Sequence, residues 1–116
     1  MDKRIVFRNM GHSDVMQDYA NQQLQKIEEF IEHFNTPHII DLYLEPSHVR
    51  EHHRVELHVR FGPHHLESSY EQEGVSFYDA LDRVIDTMYK RLHEEKRRLN
   101  DEKKTVGRHD EFKKER

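Results

Sequence analysis

The spacing of apolar residues switches period twice along this chain, and few folds accommodate that order of changes. From Val15, the apolar positions Met16, Tyr19, Ala20, Leu24, Ile27, Phe30, Ile31 and Phe34 fall three and four apart. They form one stripe on a helix of about five turns. Asn35-Thr36-Pro37 ends that helix, because the residue before a proline avoids the helical region. From His38 the period is two. Ile40, Leu42 and Leu44 share one face, and Ile39, Asp41, Tyr43 and Glu45 share the other. Pro46-Ser47-His48 breaks this strand. Val55, Leu57 and Val59 then alternate with Arg54, Glu56, His58 and Arg60, the pattern of a strand with one buried side. Gly62-Pro63 turns the chain into a further strand with Leu66, Ser68 and Tyr70. Past Glu73-Gly74 the helical spacing returns through Phe77, Ala80, Leu81, Val84, Ile85, Met88, Leu92 and Leu99, predicting a second helix to about residue 103.

Two local signals complete the element order. Arg4–Arg8, β-branched and aromatic at its centre, predicts a short first strand. Ser13 or Asp14 can cap the first helix, and Asp14 with Gln17 approximates a capping box. If Gly62-Pro63 is the tip of a hairpin, Val59 faces Leu66 and Val55 faces Tyr70 on the inner side. On the outer side Arg60 then faces His65, His58 faces Glu67 and Arg54 faces Glu71, and the last two are pairings of a kind that favour this register. The order is β-α-β-β-β-α. Each helix has one apolar stripe and each clear strand one apolar face, so the expected class is α+β in two layers, a four-stranded sheet with both helices on one face. Residues 1–106 are read as this domain and 107–116 as a charged, disordered tail with too little apolar material to fold.

Composition narrows function mainly by exclusion. Only 34% of the 116 residues are hydrophobic and no long apolar run occurs, so a membrane-spanning helix is not expected. Without cysteine there is no disulfide framework, thiolate metal site or cysteine nucleophile. No glycine-rich phosphate loop can be built from four glycines, and no serine, histidine and carboxylate fall into a catalytic arrangement. The chain is therefore not read as an enzyme, and neither cofactor nor small-molecule substrate is expected. A cytoplasmic location is the simplest expectation. The net charge of −4 hides an asymmetry, with residues 1–88 at −8 and residues 89–116 at +4. A polyanion is thus expected to meet only the basic end of the second helix.

Several words of the sequence, in order, carry a resemblance. They are Leu24-Gln25-Lys26-Ile27-Glu28, then Asn35-Thr36-Pro37-His38-Ile39-Ile40, and most strongly Glu73-Gly74-Val75-Ser76-Phe77-Tyr78-Asp79-Ala80-Leu81-Asp82. Ile85-Asp86 and Lys90-Arg91-Leu92 follow. Over about residues 4–104 the chain resembles the ribosome hibernation-promoting factor family, also called ribosome-associated inhibitor A or ribosomal subunit interface proteins, in its short form. The resemblance implies a stress-time translation inhibitor that sits on the small ribosomal subunit and its ribosomal RNA, in the channel for messenger and transfer RNA. Lys26 matches a basic position of the family's first helix. Where family members often carry Lys or Arg, this chain has Gln23, Glu29, Thr87 and Glu94.

Binding an RNA backbone requires clustered cations that neutralise phosphates and release counterions. The candidate contacts are Lys26, Lys90, Arg91, Lys96, Arg97 and Arg98. The alternative is a protein–protein module that docks a basic partner on the acidic first-helix face of Asp18, Glu28, Glu29 and Glu32, without RNA. Tyr43, expected on the open sheet face, is a lesser candidate for base stacking. Of the 11 histidines, seven lie between His38 and His65. Unperturbed imidazole titrates near pH 6.5, so these residues add positive charge on mild acidification. His52 and His58, six strand residues apart, stand about 20 Å from each other and cannot share an ion. The neighbours His64 and His65 point to opposite faces if both lie in strands. No metal site is expected.

Overall fold

The computed structural model describes residues 1–46, 52–73 and 76–115, with side chains for 1–46, 53–71 and 76–101. The elements are β1 (Asp2–Phe7), α1 (Asp14–Ile31), β2 (His38–Pro46), β3 (His52–Phe61), β4 (His64–Glu73) and α2 (Phe77–Glu115). They form the expected α+β arrangement. The four strands lie in sequence order, with β1 parallel to β2 and the remaining pairs antiparallel. The turns read at Ser47-His48 and Gly74 lie outside the described residues.

One face of the sheet holds the core. Ile40, Leu42 and Leu44 of β2 and Val55, Leu57, Val59 and Phe61 of β3 are fully buried. They pack with Met16, Ala20, Leu24, Ile27 and Ile31 of α1 and with Ala80, Leu81, Val84, Ile85, Met88 and Leu92 of α2. Ser68 interrupts this apolar surface on β4, and its hydroxyl donates to the Val84 carbonyl at 2.8 Å, which satisfies a buried polar group. The hairpin register is the one the alternation predicts, with Val59 opposite Leu66 and His58 opposite Glu67. Gly62 takes φ 57°, the sign required at the first central position of a two-residue primed turn.

The helix ends differ from the periodic pattern in instructive ways. Ser13, not Asp14, caps α1, and its side chain accepts from the Met16 N–H at 3.2 Å. α1 stops at Ile31, short of Phe34. Phe34 keeps the helical spacing but leaves the helix, and its ring lies 4.9 Å from Phe61 over the end of the sheet. An apolar residue in a turn thus extends the stripe without extending the helix. α2 departs in the opposite direction. Its backbone stays helical to Glu115, through the segment read from sequence as an unstructured tail, as the helix propensity of its Lys, Glu and Arg residues favours. After Leu92 no described residue of α2 is buried, so the helix leaves the body while still carrying charge.

The two helices run parallel, side by side. Tyr19 meets Asp82, Lys26 meets Tyr89 and Phe30 meets His93, each pair separated by the same sequence offset. A constant offset keeps the helices in step along their length. It places the second half of α1 beside the middle of α2, where the basic residues begin.

Candidate nucleic-acid interface

The six candidate cations do not form one patch. At about 100° per residue, the core stripe of α2 lies opposite Lys90 and Arg97. Both are exposed, and among the described residues neither forms an ion pair. Seven residues apart, they sit two turns from each other on the outer ridge of the helix, about 10 Å along its axis. These two are the cations most available to an external anion.

Arg91 points along the flank towards β4. Its guanidinium donates to the Glu67 backbone carbonyl, an uncharged partner that leaves the cation's charge unneutralised. Arg98 lies on the same flank and is ion-paired with Glu95, which also faces the His64 ring at 3.4 Å. The Arg98 hydrogen bond holds the Glu95 carboxyl below the ordinary carboxylate range, against the opposing effect of its partial burial. Arg98 is thus already engaged.

Lys96 and Lys26 occupy the other flank, between the helices. The Lys96 ammonium lies 5.7 Å from the centre of the Phe30 ring. Lys26 bonds Asp86 at 3.1 Å and lies 5.0 Å from the Tyr89 ring. Its position is explained by helix pairing, so its charge is partly cancelled before any partner arrives. Of the expected set, Lys90, Arg91, Lys96 and Arg97 have no carboxylate partner among the described residues, whereas Lys26 and Arg98 are covered by the chain's own carboxylates.

The acidic face of α1 is similarly committed. Glu28 pairs with Lys3 of β1 at 2.6 Å, and Glu29 accepts from Gln25 at 3.3 Å. Two of the four acids proposed for a basic partner therefore already contact neighbouring side chains. This geometry does not favour the protein-docking alternative.

Sequence reasoning placed Arg54 and Arg60 on the open sheet face without counting them as contacts, and it overlooked Arg4 and Arg8 there. Tyr43 lies there, edge-on to His58 with ring centres 5.9 Å apart. Arg8 stacks over the Tyr43 ring at 4.0 Å and Arg4 donates to its hydroxyl at 2.9 Å. Tyr43 is therefore covered by two cations, and it presents guanidinium groups rather than a bare ring to a base. Arg60, on the same face, is exposed and has no ion pair among the described residues. The alternation of β2 and β3 already placed these residues on one side, but β1 had to be paired with β2 before Arg4 could be seen to join them.

A two-layer α+β body with a basic helical ridge and a polar open sheet face defines a small binding module. The model of the family described as Sigma 54 modulation protein / S30EA ribosomal protein matches residues 4–100, and the chain belongs to this ribosome-associated family. Among solved structures, the N-terminal domain of Thermus thermophilus Protein Y is similar at a TM-score of 0.65 and 18% identity. That match covers 79% of this chain and 96% of the other. A ribosomal subunit interface protein from Coxiella burnetii is similar at a TM-score of 0.65 and 12% identity, covering 83% of this chain and 98% of the other. At such identities these structures establish the fold. No curated protein matches the chain. No helix among the described residues is long and apolar enough to cross a membrane.

Proposed function

We propose that this protein is a cytoplasmic hibernation factor that binds the small ribosomal subunit and silences translation by occupying the messenger and transfer RNA channel. The observation that carries this reading is the outer ridge of α2. In a member of this ribosome-associated family, Lys90 and Arg97 stand two turns apart, exposed and without a carboxylate partner among the described residues. Arg91 adds a third cation whose only described bond is to a carbonyl. Phosphates of ribosomal RNA are the anions such a spacing suits, because each neutralised phosphate releases counterions. Lys26 and Arg98 reinforce the contact only when the anion displaces or shares their carboxylate partners, and Lys96, beside the Phe30 ring, adds its charge from the other flank. The action is steric and electrostatic: the body fills space, and no covalent step is involved.

Co-sedimentation with isolated small subunits tests the reading. The protein should pellet with the subunit and compete with transfer RNA for it. Lys90→Glu with Arg97→Glu should leave the chain in the supernatant while its thermal unfolding is unchanged. Arg91 is better kept in this experiment, since it also ties α2 to β4. Unaltered pelleting of the double variant would reject the ridge, and undiminished transfer RNA binding in the presence of bound protein would reject channel occupancy.

A further inference from the structure

Three side chains on the open face of β3 and β4 converge in a way that ribosome binding does not require. His58 and Glu67 are directly opposite in the register, and His65 is the diagonal neighbour, opposite Arg60. His58 Nδ1 lies 3.1 Å from His65 Nε2 and 3.4 Å from Glu67 Oε2. One ligand atom from each of the three residues falls within 4.8 Å of the other two. We propose that His58, His65 and Glu67 form a binding site for a zinc-like divalent cation.

The distances carry the case. A zinc ion with ligands about 2.0–2.2 Å away in a tetrahedron holds its donor atoms roughly 3.3–3.5 Å apart. Two of the three edges already match that spacing to within a few tenths of an ångström. The third closes by rotation of Glu67, whose side chain is 60% exposed and free to turn. Hydrogen bonding alone leaves the cluster underserved. Nδ1 of His58 faces both a ring nitrogen and a carboxylate oxygen, and a single proton on Nδ1 can serve only one of them well. A divalent cation accepts a lone pair from all three donors at once.

The surroundings suit that role. His58 is only 23% exposed, so its ring is held, and its other nitrogen, Nε2, lies 3.6 Å from Glu56. A carboxylate near the non-ligating nitrogen is the usual second partner of a metal-bound histidine, where it orients the ring and raises its basicity. Two imidazoles and one carboxylate select zinc and its borderline neighbours over magnesium and calcium, which prefer oxygen alone. Three protein ligands leave a fourth position for water. The site would also clip β4, an edge strand, to β3.

Untagged protein titrated with zinc(II) against a chromogenic chelator should take up one equivalent at this site, and excess magnesium should not displace it. His65→Ala and Glu67→Gln should each weaken that uptake at least tenfold, because both residues are exposed and neither supports the core. His33→Ala, on an exposed histidine remote from the cluster, should change it less than twofold. In the wild type, zinc should shift the side-chain NMR signals of His58 and His65 together. Absence of uptake by the wild type, or identical titrations for the wild type, His65→Ala and Glu67→Gln, would overturn the site. Neither result depends on ribosome binding.

Discussion

The Tyr19 hydroxyl donates a 2.6 Å hydrogen bond to Asp82 Oδ1, across 63 residues of sequence and between two parallel helices. It is one of three contacts at a constant offset that hold α1 in step with α2. The bond also keeps the phenol protonated: hydrogen bonding to the Asp82 carboxylate, helped by desolvation, pushes its pKa up to about 12.

Tyr19→Phe should therefore destabilise the fold by about 1 kcal/mol, the scale of a partly exposed hydrogen bond to a charged acceptor. The folded pKa is raised above that of the unfolded chain. The bond's contribution is thus complete below pH 10 and is lost as the pH rises through about 12. Urea unfolding of both proteins at pH 8 measures the difference. Ultraviolet titration of the wild type should show a late tyrosinate component that is missing from the variant.

Glu95 gives a dependence of the opposite sign. Its folded carboxyl is held below the ordinary range, chiefly by the hydrogen bond from Arg98. Its contribution is present at neutral pH and disappears as the pH falls through the folded value. Glu95→Gln should lower stability by less than about 1 kcal/mol at pH 7, because Arg98 is largely solvated. The gap between the two urea midpoints should close on acidification towards pH 3.

Gly62→Ala tests the hairpin. At φ 57° a Cβ is strained, and it would also sit 3.4 Å from the Asn35 carbonyl oxygen. A loss of about 1–2 kcal/mol is expected, read as a fall in melting temperature without a change of fold.

Neutralising the ridge should change how salt affects binding as well as its strength. On the proposed ridge contact, Lys90→Gln with Arg97→Gln would remove two phosphate contacts. The slope of log affinity against log salt for the small subunit should then become shallower by about 1.5. Fluorescence anisotropy at several potassium concentrations would measure it, and an unchanged slope would mean that these cations do not touch RNA.

The sheet was legible in the sequence because its signals are local. Alternation fixes which residues of a strand share a face, and a two-residue turn at Gly62-Pro63 leaves one register for β3 and β4. The helix ends were less legible, because Phe34 satisfies the helical spacing while packing from a turn onto Phe61. The basic residues could be picked out by type, but their partners could not. Asp86 engages Lys26 only because the helices are in step, a relation that no periodicity within one helix reveals. His58, His65 and Glu67 fall between these cases. The hairpin register already placed them as opposite and diagonal neighbours, but pairwise reading of the histidines, which stressed distance along a strand, passed over the contact across strands.

The open sheet face leaves this molecule with two surfaces that can change separately. Every fully buried side chain among the described residues lies between the sheet and the helices. Residues on the bare side of β2, β3 and β4 can therefore be exchanged with little disturbance to packing. The outer ridge of α2 has the same freedom for the same reason. One scaffold can thus acquire, lose or retune a second kind of recognition on its back while the first is maintained by selection on its front.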